Sequence, residues 1–117
     1  MKNLIKILAI FIFCTVFKAQ QTEVSVIKYE DLEKRIQQEK NKLLVVNFWS
    51  TTCGPCVKEL PHFMEVNAEF ADNQKFKMIL VSLERLADNE RVLKFIKNKN
   101  LTAEVLLLDD IKRMNTW

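Results

Sequence analysis

Residues 43–61 read LLVVNFWSTTCGPCVKELP, and their order decides the architecture. Leu43 to Trp49 is almost continuously apolar and holds Val45, Val46, Phe48 and Trp49, which predicts a strand buried on both faces, as at the centre of a parallel sheet. Pro55 suits the first turn of a helix, where its missing N–H is no loss. Val57, Leu60, Phe63, Met64, Asn67 and Phe70 then recur at helical spacing and give that helix a largely apolar face. Pro61 falls inside it and is expected to kink it. Strand, turn and helix therefore meet at the CGPC of residues 53–56.

Working outward, Glu23 to Ile27 suggests a short initial strand, and Tyr29 to about Lys40 a surface helix with Tyr29, Leu32 and Ile36 on one face and Glu30 and Asp31 in its first turn. Phe76 to Leu83, FKMILVSL, is a second apolar run of strand length. Asp88 to Lys99 follows as a helix with Val92, Phe95 and Ile96 aligned, then a strand at Val105 to Leu108 and the start of a helix at Ile111 to Trp117. Strands alternating with helices predict an α/β layer with parallel strands and right-handed crossovers.

A thiol attacks a disulfide only as the thiolate, so a redox site needs one cysteine whose negative charge is stabilised and a second within reach. Cys53 falls at the strand-to-helix junction, where free N–H groups and the helix dipole favour an anion. Cys56 is one helical turn on and can close the ring. Gly54 is read as allowing a tight turn beside the nucleophile and Pro55 as starting the helix; neither adds charge, which favours a reducing or isomerase-like poise over a strong oxidant. Thr51 and Thr52 are read as helix caps. Trp49, ending an apolar strand, serves equally as core and as site lining. The alternatives for the cysteines are two idle thiols or a metal half-site, although zinc takes about four ligands and only His62 adds a nitrogen or sulfur donor after residue 19. His62 itself is read as a surface histidine.

The stretch VNFWSTTCGPCVKELP, with its strand before and helix after, resembles the thioredoxin-like thiol-disulfide oxidoreductases of the bacterial envelope, the TlpA/ResA type. The resemblance runs from about Tyr29 to Asp110. It implies a thioredoxin-like three-layer α/β/α fold, with Cys53 as the attacking cysteine and Cys56 as a buried resolving cysteine. It further implies that Trp49 flanks the site, that Pro61 is the helix-kinking proline, and that Glu59 is the acid of a CxxCxxE pattern that tunes cysteine protonation. No cofactor beyond the redox-active disulfide Cys53–Cys56 is implied, and no metal. The implied partners are envelope protein thiols or disulfides, apocytochrome c among them, and a membrane electron donor.

A complete fold of that type continues past Val105–Leu108 with a cis-proline facing the CxxC, a β-hairpin and a last helix. Here the prolines are Pro55 and Pro61. The expectation is a domain over residues 20–117 that lacks the C-terminal hairpin and last helix, leaves the 43–49 strand with one bare edge, and is poorly stable alone. A catalytically impaired fragment that needs a partner is the second function reading, and a thiol metal-binding module the third.

Composition bounds these readings. The 117 residues are 49% hydrophobic and 28% charged, as in one small globular domain. Lys2 and Lys6 precede an apolar run, Ile7 to Phe17, and Lys18 and Ala19 lead into Gln20 and Gln21, which reads as a signal peptide over residues 1–19. A retained membrane anchor is the alternative; the run is shorter than the about 20 apolar residues a span needs. Those three lysines account for the whole formal charge of +3, because the segment has no acidic residue. No basic stripe for nucleic acid is left. Lys94, Lys97 and Lys99 read as a solvated helix face.

Overall fold

The computed structural model describes residues 24–114; the predicted signal peptide and residues 115–117 lie outside them. In chain order the elements are β1 (Ser25–Ile27), α1 (Tyr29–Gln37), β2 (Leu43–Trp49), α2 (Gly54–Glu69), β3 (Phe76–Ser82), α3 (Asn89–Lys99), β4 (Glu104–Leu108) and α4 (Ile111–Met114), with a 3₁₀ turn at Leu86–Asp88. The strands form one sheet in the order β1-β4-β3-β2, every pair parallel. The alternation of strands and helices read from the sequence is realised, with the β2 boundaries as expected.

Because successive side chains in a strand point to opposite faces, each apolar run feeds two cores. Met78 and Leu80 of β3 and Val105 and Leu107 of β4 join Trp49, Leu60 of α2, and Val92 and Ile96 of α3 on one face. Ile79, Val81, Leu106 and Leu108 join Leu32 of α1 on the other. The sheet is thus covered by α2 and α3 on one side and by α1 on the other, three layers as expected.

One expectation is corrected and another is met. The 43–49 strand is not buried on both faces like the centre of a sheet, but it has the bare edge expected for it: among the described residues β2 pairs with β3 alone. Its Leu43 is 66% exposed and its Phe48 38% exposed. The residues buried on both faces belong instead to β3 and β4, each of which has a strand on either side.

Local chemistry ends the helices. Helix α1 stops at Gln37, and the backbone N–H groups of Gln38, Glu39 and Lys40 turn back to carbonyls of Lys34, Ile36 and Gln37. Helix α3 ends on Asn100 in the left-handed region (φ 52°), which lets the Leu101 N–H reach the Ile96 carbonyl at 3.0 Å.

At the amino end of the sheet, Glu104 receives Arg35 (2.9 and 2.7 Å) and Lys77 (2.7 Å), while Arg35 also reaches Glu39 (2.8 Å), itself bound to Lys42 (2.7 Å). Partial burial opposes ionisation of Glu104, but the hydrogen bonds from Arg35 and Lys77 outweigh it and hold its carboxyl below the usual range. Lys42 and Arg35 lower Glu39 to about 2.

Candidate redox site

Parallel strands bring the carboxyl ends of β2 and β3 side by side, the place where open α/β sheets put their ligands and chemistry. The chain leaves β2 at Trp49, crosses Ser50–Thr52 and enters α2. Cys53 is the N-cap of α2, with extended backbone (φ −86°, ψ 97°). It is joined to Cys56 by a disulfide, with the Cα atoms 5.3 Å apart. The Cys56 N–H points at Cys53 Sγ at 3.4 Å, and the Val57 N–H donates to the Cys53 carbonyl at 3.0 Å. The sulfur takes the place that a serine or aspartate oxygen takes in an ordinary N-cap.

Both cysteines are half-buried. Cys56 rests against the core on the α2 side. The buried Cys56 that the resemblance implies is half-buried here, packed against the core on one side.

Two other local readings change. Thr51 and Thr52 do not cap α2, since the N-cap falls on Cys53 and its own sulfur accepts the amide. Gly54 does not turn the chain through a left-handed conformation; no described glycine has positive φ. A Cβ built on Gly54 meets no atom within 4 Å. What the glycine provides is an uncovered approach beside the cysteines. Pro55 is the second residue of α2, within the first turn as expected.

Trp49 is 1% exposed and stacks obliquely on Phe95 of α3, ring centroids 5.1 Å apart, so it is a core residue beneath the loop. Pro61 lies within α2, which continues on both sides of it, and lines an open apolar groove of about 460 Å³ with Val57, Leu60, Met64 and Leu101. Glu59 is exposed one turn after Cys56, at a small hollow shared with His62, Phe63 and Val66. His62 is exposed, with Nδ1 3.4 Å from Glu65. Among the described residues no group of three or more His, Cys, Asp or Glu could hold a metal ion.

The structure adds residues that the sequence reading missed. Glu84, two residues past the end of β3, is 5% exposed. Its carboxylate accepts from the Thr51 N–H (3.1 Å), the Thr51 hydroxyl, the Ser82 hydroxyl and Arg91 Nη2 (3.3 Å). Arg91 of α3 also donates from Nε to Thr51 Oγ1 (3.0 Å) and from Nη1 to Asp88 (2.9 Å). Two backbone bonds complete the loop, Leu83 N–H to the Trp49 carbonyl (2.8 Å) and Cys53 N–H to the Ser50 carbonyl (3.2 Å), while the Ser50 and Thr52 hydroxyls lie 3.1 Å apart. An acid directly after an apolar strand, at the same sheet end as the cysteines, was the signal available for Glu84.

Chemically, the arrangement holds a two-electron couple at a helix amino terminus, with one sulfur at the cap and the other one turn inside. Opening the disulfide leaves Cys53 Sγ beside an N–H donor and the positive end of the dipole, which stabilises a thiolate.

The curated relatives point the same way. Over 70 residues the chain is 34% identical to sporulation thiol-disulfide oxidoreductase A of Bacillus subtilis, covering 58% of this chain and 41% of that protein. Over 73 residues it is 30% identical to the thioredoxin-like protein YneN of the same organism, covering 62% and 42%. The chain thus spans about two fifths of the length of these relatives. Among solved structures, the thioredoxin domain of a thiol-disulfide oxidoreductase from Bacteroides vulgatus superposes with a TM-score of 0.56 at 26% identity, covering 68% of this chain and 55% of that one. A family model matches residues 14–115, nearly the whole chain including the β2–CGPC–α2 unit, and the chain therefore belongs to the AhpC/TSA family, with a thioredoxin-like fold.

Proposed function

We propose that the chain is a thiol-disulfide oxidoreductase acting on protein substrates through Cys53 and Cys56. The observation that carries this reading is the Cys53–Cys56 disulfide at the N-cap of α2, with the Cys56 N–H directed at Cys53 Sγ. In the reducing direction the Cys53 thiolate attacks a substrate disulfide, forming a mixed disulfide and expelling one substrate thiolate. Cys56, deprotonated, attacks Cys53 Sγ, closes the intramolecular disulfide and releases the second thiolate. The substrate gains two electrons and the CGPC pair loses two, to be restored by a donor dithiol. The uncharged Gly54 and Pro55 support the reducing direction. Glu59, three residues after Cys56 and so on the same side of α2, is the proposed tuner of cysteine protonation. Trp49, Gly54, Pro55 and Pro61 shape the site.

The apolar run Ile7–Phe17 between lysines supports export and work in the bacterial envelope. There the substrates are protein thiols or disulfides, apocytochrome c being the candidate, and the donor is membrane-bound. The test is an insulin-reduction assay with a dithiothreitol titration of the couple, read by thiol alkylation. Turnover that falls to background in Cys53→Ser, together with a mixed disulfide trapped on Cys53 in Cys56→Ser, supports the reading; a chain with no reversible couple defeats it.

A second reading, a chain that needs a further strand or partner against β2 to fold or turn over, is favoured by the exposed Leu43 and Phe48 on that edge. A sharp melt of a monomer with turnover excludes it.

A further inference from the structure

The geometry points to Glu84 as a positioning residue of the redox loop: through Thr51 it keeps Cys53 at the amino terminus of α2 when the disulfide is open. The inference rests on the thiol-disulfide reading above.

A carboxylate as buried as Glu84 is retained only when its oxygens are matched by donors. Two of its donors come from one residue, the N–H and hydroxyl of Thr51, which stands two positions before Cys53. The Ser82 hydroxyl ties the same carboxylate to the end of β3. Arg91 closes the figure: it reaches both Glu84 and the Thr51 hydroxyl, so that hydroxyl donates to one member of the pair and accepts from the other. Asp88 holds a second branch of the same guanidinium. The loop carrying the nucleophile is therefore fastened to the carboxyl end of β3, a strand with a neighbour on either side, and to the first turns of α3.

The need for such a clamp depends on redox state. In the disulfide form a covalent bond fixes Cys53 to Cys56. In the dithiol form that bond is gone, and hydrogen bonds alone keep Cys53 Sγ against the Cys56 N–H and the helix terminus that stabilise the thiolate. Loosening Thr51 should thus weaken the dithiol form more than the disulfide form. The thiolate fraction falls, and the couple moves towards the disulfide, that is, to a more negative potential.

The experiment compares wild type, Glu84→Ala, Glu84→Gln and Thr51→Ala in the full chain. The readouts are the equilibrium constant against dithiothreitol, the iodoacetamide alkylation rate of Cys53 at pH 7, and the melt. In Glu84→Ala and Thr51→Ala the equilibrium should shift towards the disulfide by about tenfold, about 30 mV for a two-electron couple, with slower alkylation. Glu84→Gln keeps an oxygen for the Thr51 N–H and should stay within about twofold of wild type. Folded Glu84→Ala with wild-type equilibrium and rate overturns the proposal. So does faster alkylation in both Glu84 variants, which would mean that the charge acts on the thiolate directly. If Glu84→Ala fails to fold, Thr51→Ala decides by the same two measurements. A wild-type chain without a reversible couple defeats the underlying oxidoreductase reading as well, whereas a normal couple left unmoved by the variants defeats this inference alone.

Discussion

Strands β2 and β3 are neighbours of equal length, paired residue by residue from Leu43 with Phe76 to Trp49 with Ser82, and both are dominated by aliphatic and aromatic side chains. Their fates differ. From Met78 to Ser82 β3 is buried without interruption, while β2 is fully buried only at Trp49. β3 has β4 on its far side and helices over both faces; β2 has, among the described residues, a single neighbour. The central strand therefore holds the fold together and the marginal strand delivers the sulfur. Chemistry at a margin needs tethering to something rigid. The bonds from Leu83 to Trp49 and from Thr51 to Glu84 join the end of β2 and its loop to the residues that directly follow β3.

The largest effect that would sharpen this contrast comes from truncating one leucine in each strand. Leu80→Ala removes a fully buried side chain from β3 and should destabilise by about 2–5 kcal/mol in a denaturant melt, whereas Leu43→Ala on β2 should stay within about 0.5 kcal/mol. Similar losses at both positions would break the distinction between centre and margin.

A smaller effect concerns the amino end of β3 and β4, where Glu104 ties Arg35 to Lys77. Glu104→Gln should lower stability at pH 7 by about 1–3 kcal/mol. The carboxyl of Glu104 is held below its ordinary value of 4.5, so its contribution is complete above that value and is lost as pH falls through the depressed folded value. The gap between wild type and Glu104→Gln in melts should accordingly narrow below pH 4.5, and Glu39, at about 2, should keep some acid dependence in the variant down to that pH. A gap independent of pH would exclude the ion pairs as its source.

The smallest effect tests the loop. If Gly54 has neither a left-handed backbone nor a crowded Cβ position, Gly54→Ala should raise stability by about 0.4–1 kcal/mol through the unfolded chain. A loss of stability would restore the sequence-based idea that the turn requires glycine.

The motif and the periodicities carried most of the fold. The alternation of strand and helix, the limits of β2, the start of α2 around Pro55 and the pairing of Cys53 with Cys56 all depend on local geometry over a few residues, which spacing encodes directly. The exposure of β2 is different in kind: the apolar run alone suggests a strand covered on both faces, and only the resemblance, through the hairpin that a complete fold adds, pointed to the bare edge. Glu84 had only a weak local signal, an acid directly after an apolar run. Its donors come from Thr51, Ser82 and Arg91, up to 33 residues away in the chain, and no local pattern announces that they converge.

By itself, then, the sequence determined the chemistry available: two thiols one helical turn apart, at a strand-to-helix junction where an anion is stabilised by the backbone. Only the tertiary structure decided that Cys53 rather than a threonine caps α2, and that a buried carboxylate just past the end of β3 meets the loop. Local order follows from covalent spacing, whereas strand order and the meeting of distant polar groups follow from how the whole chain buries its surface.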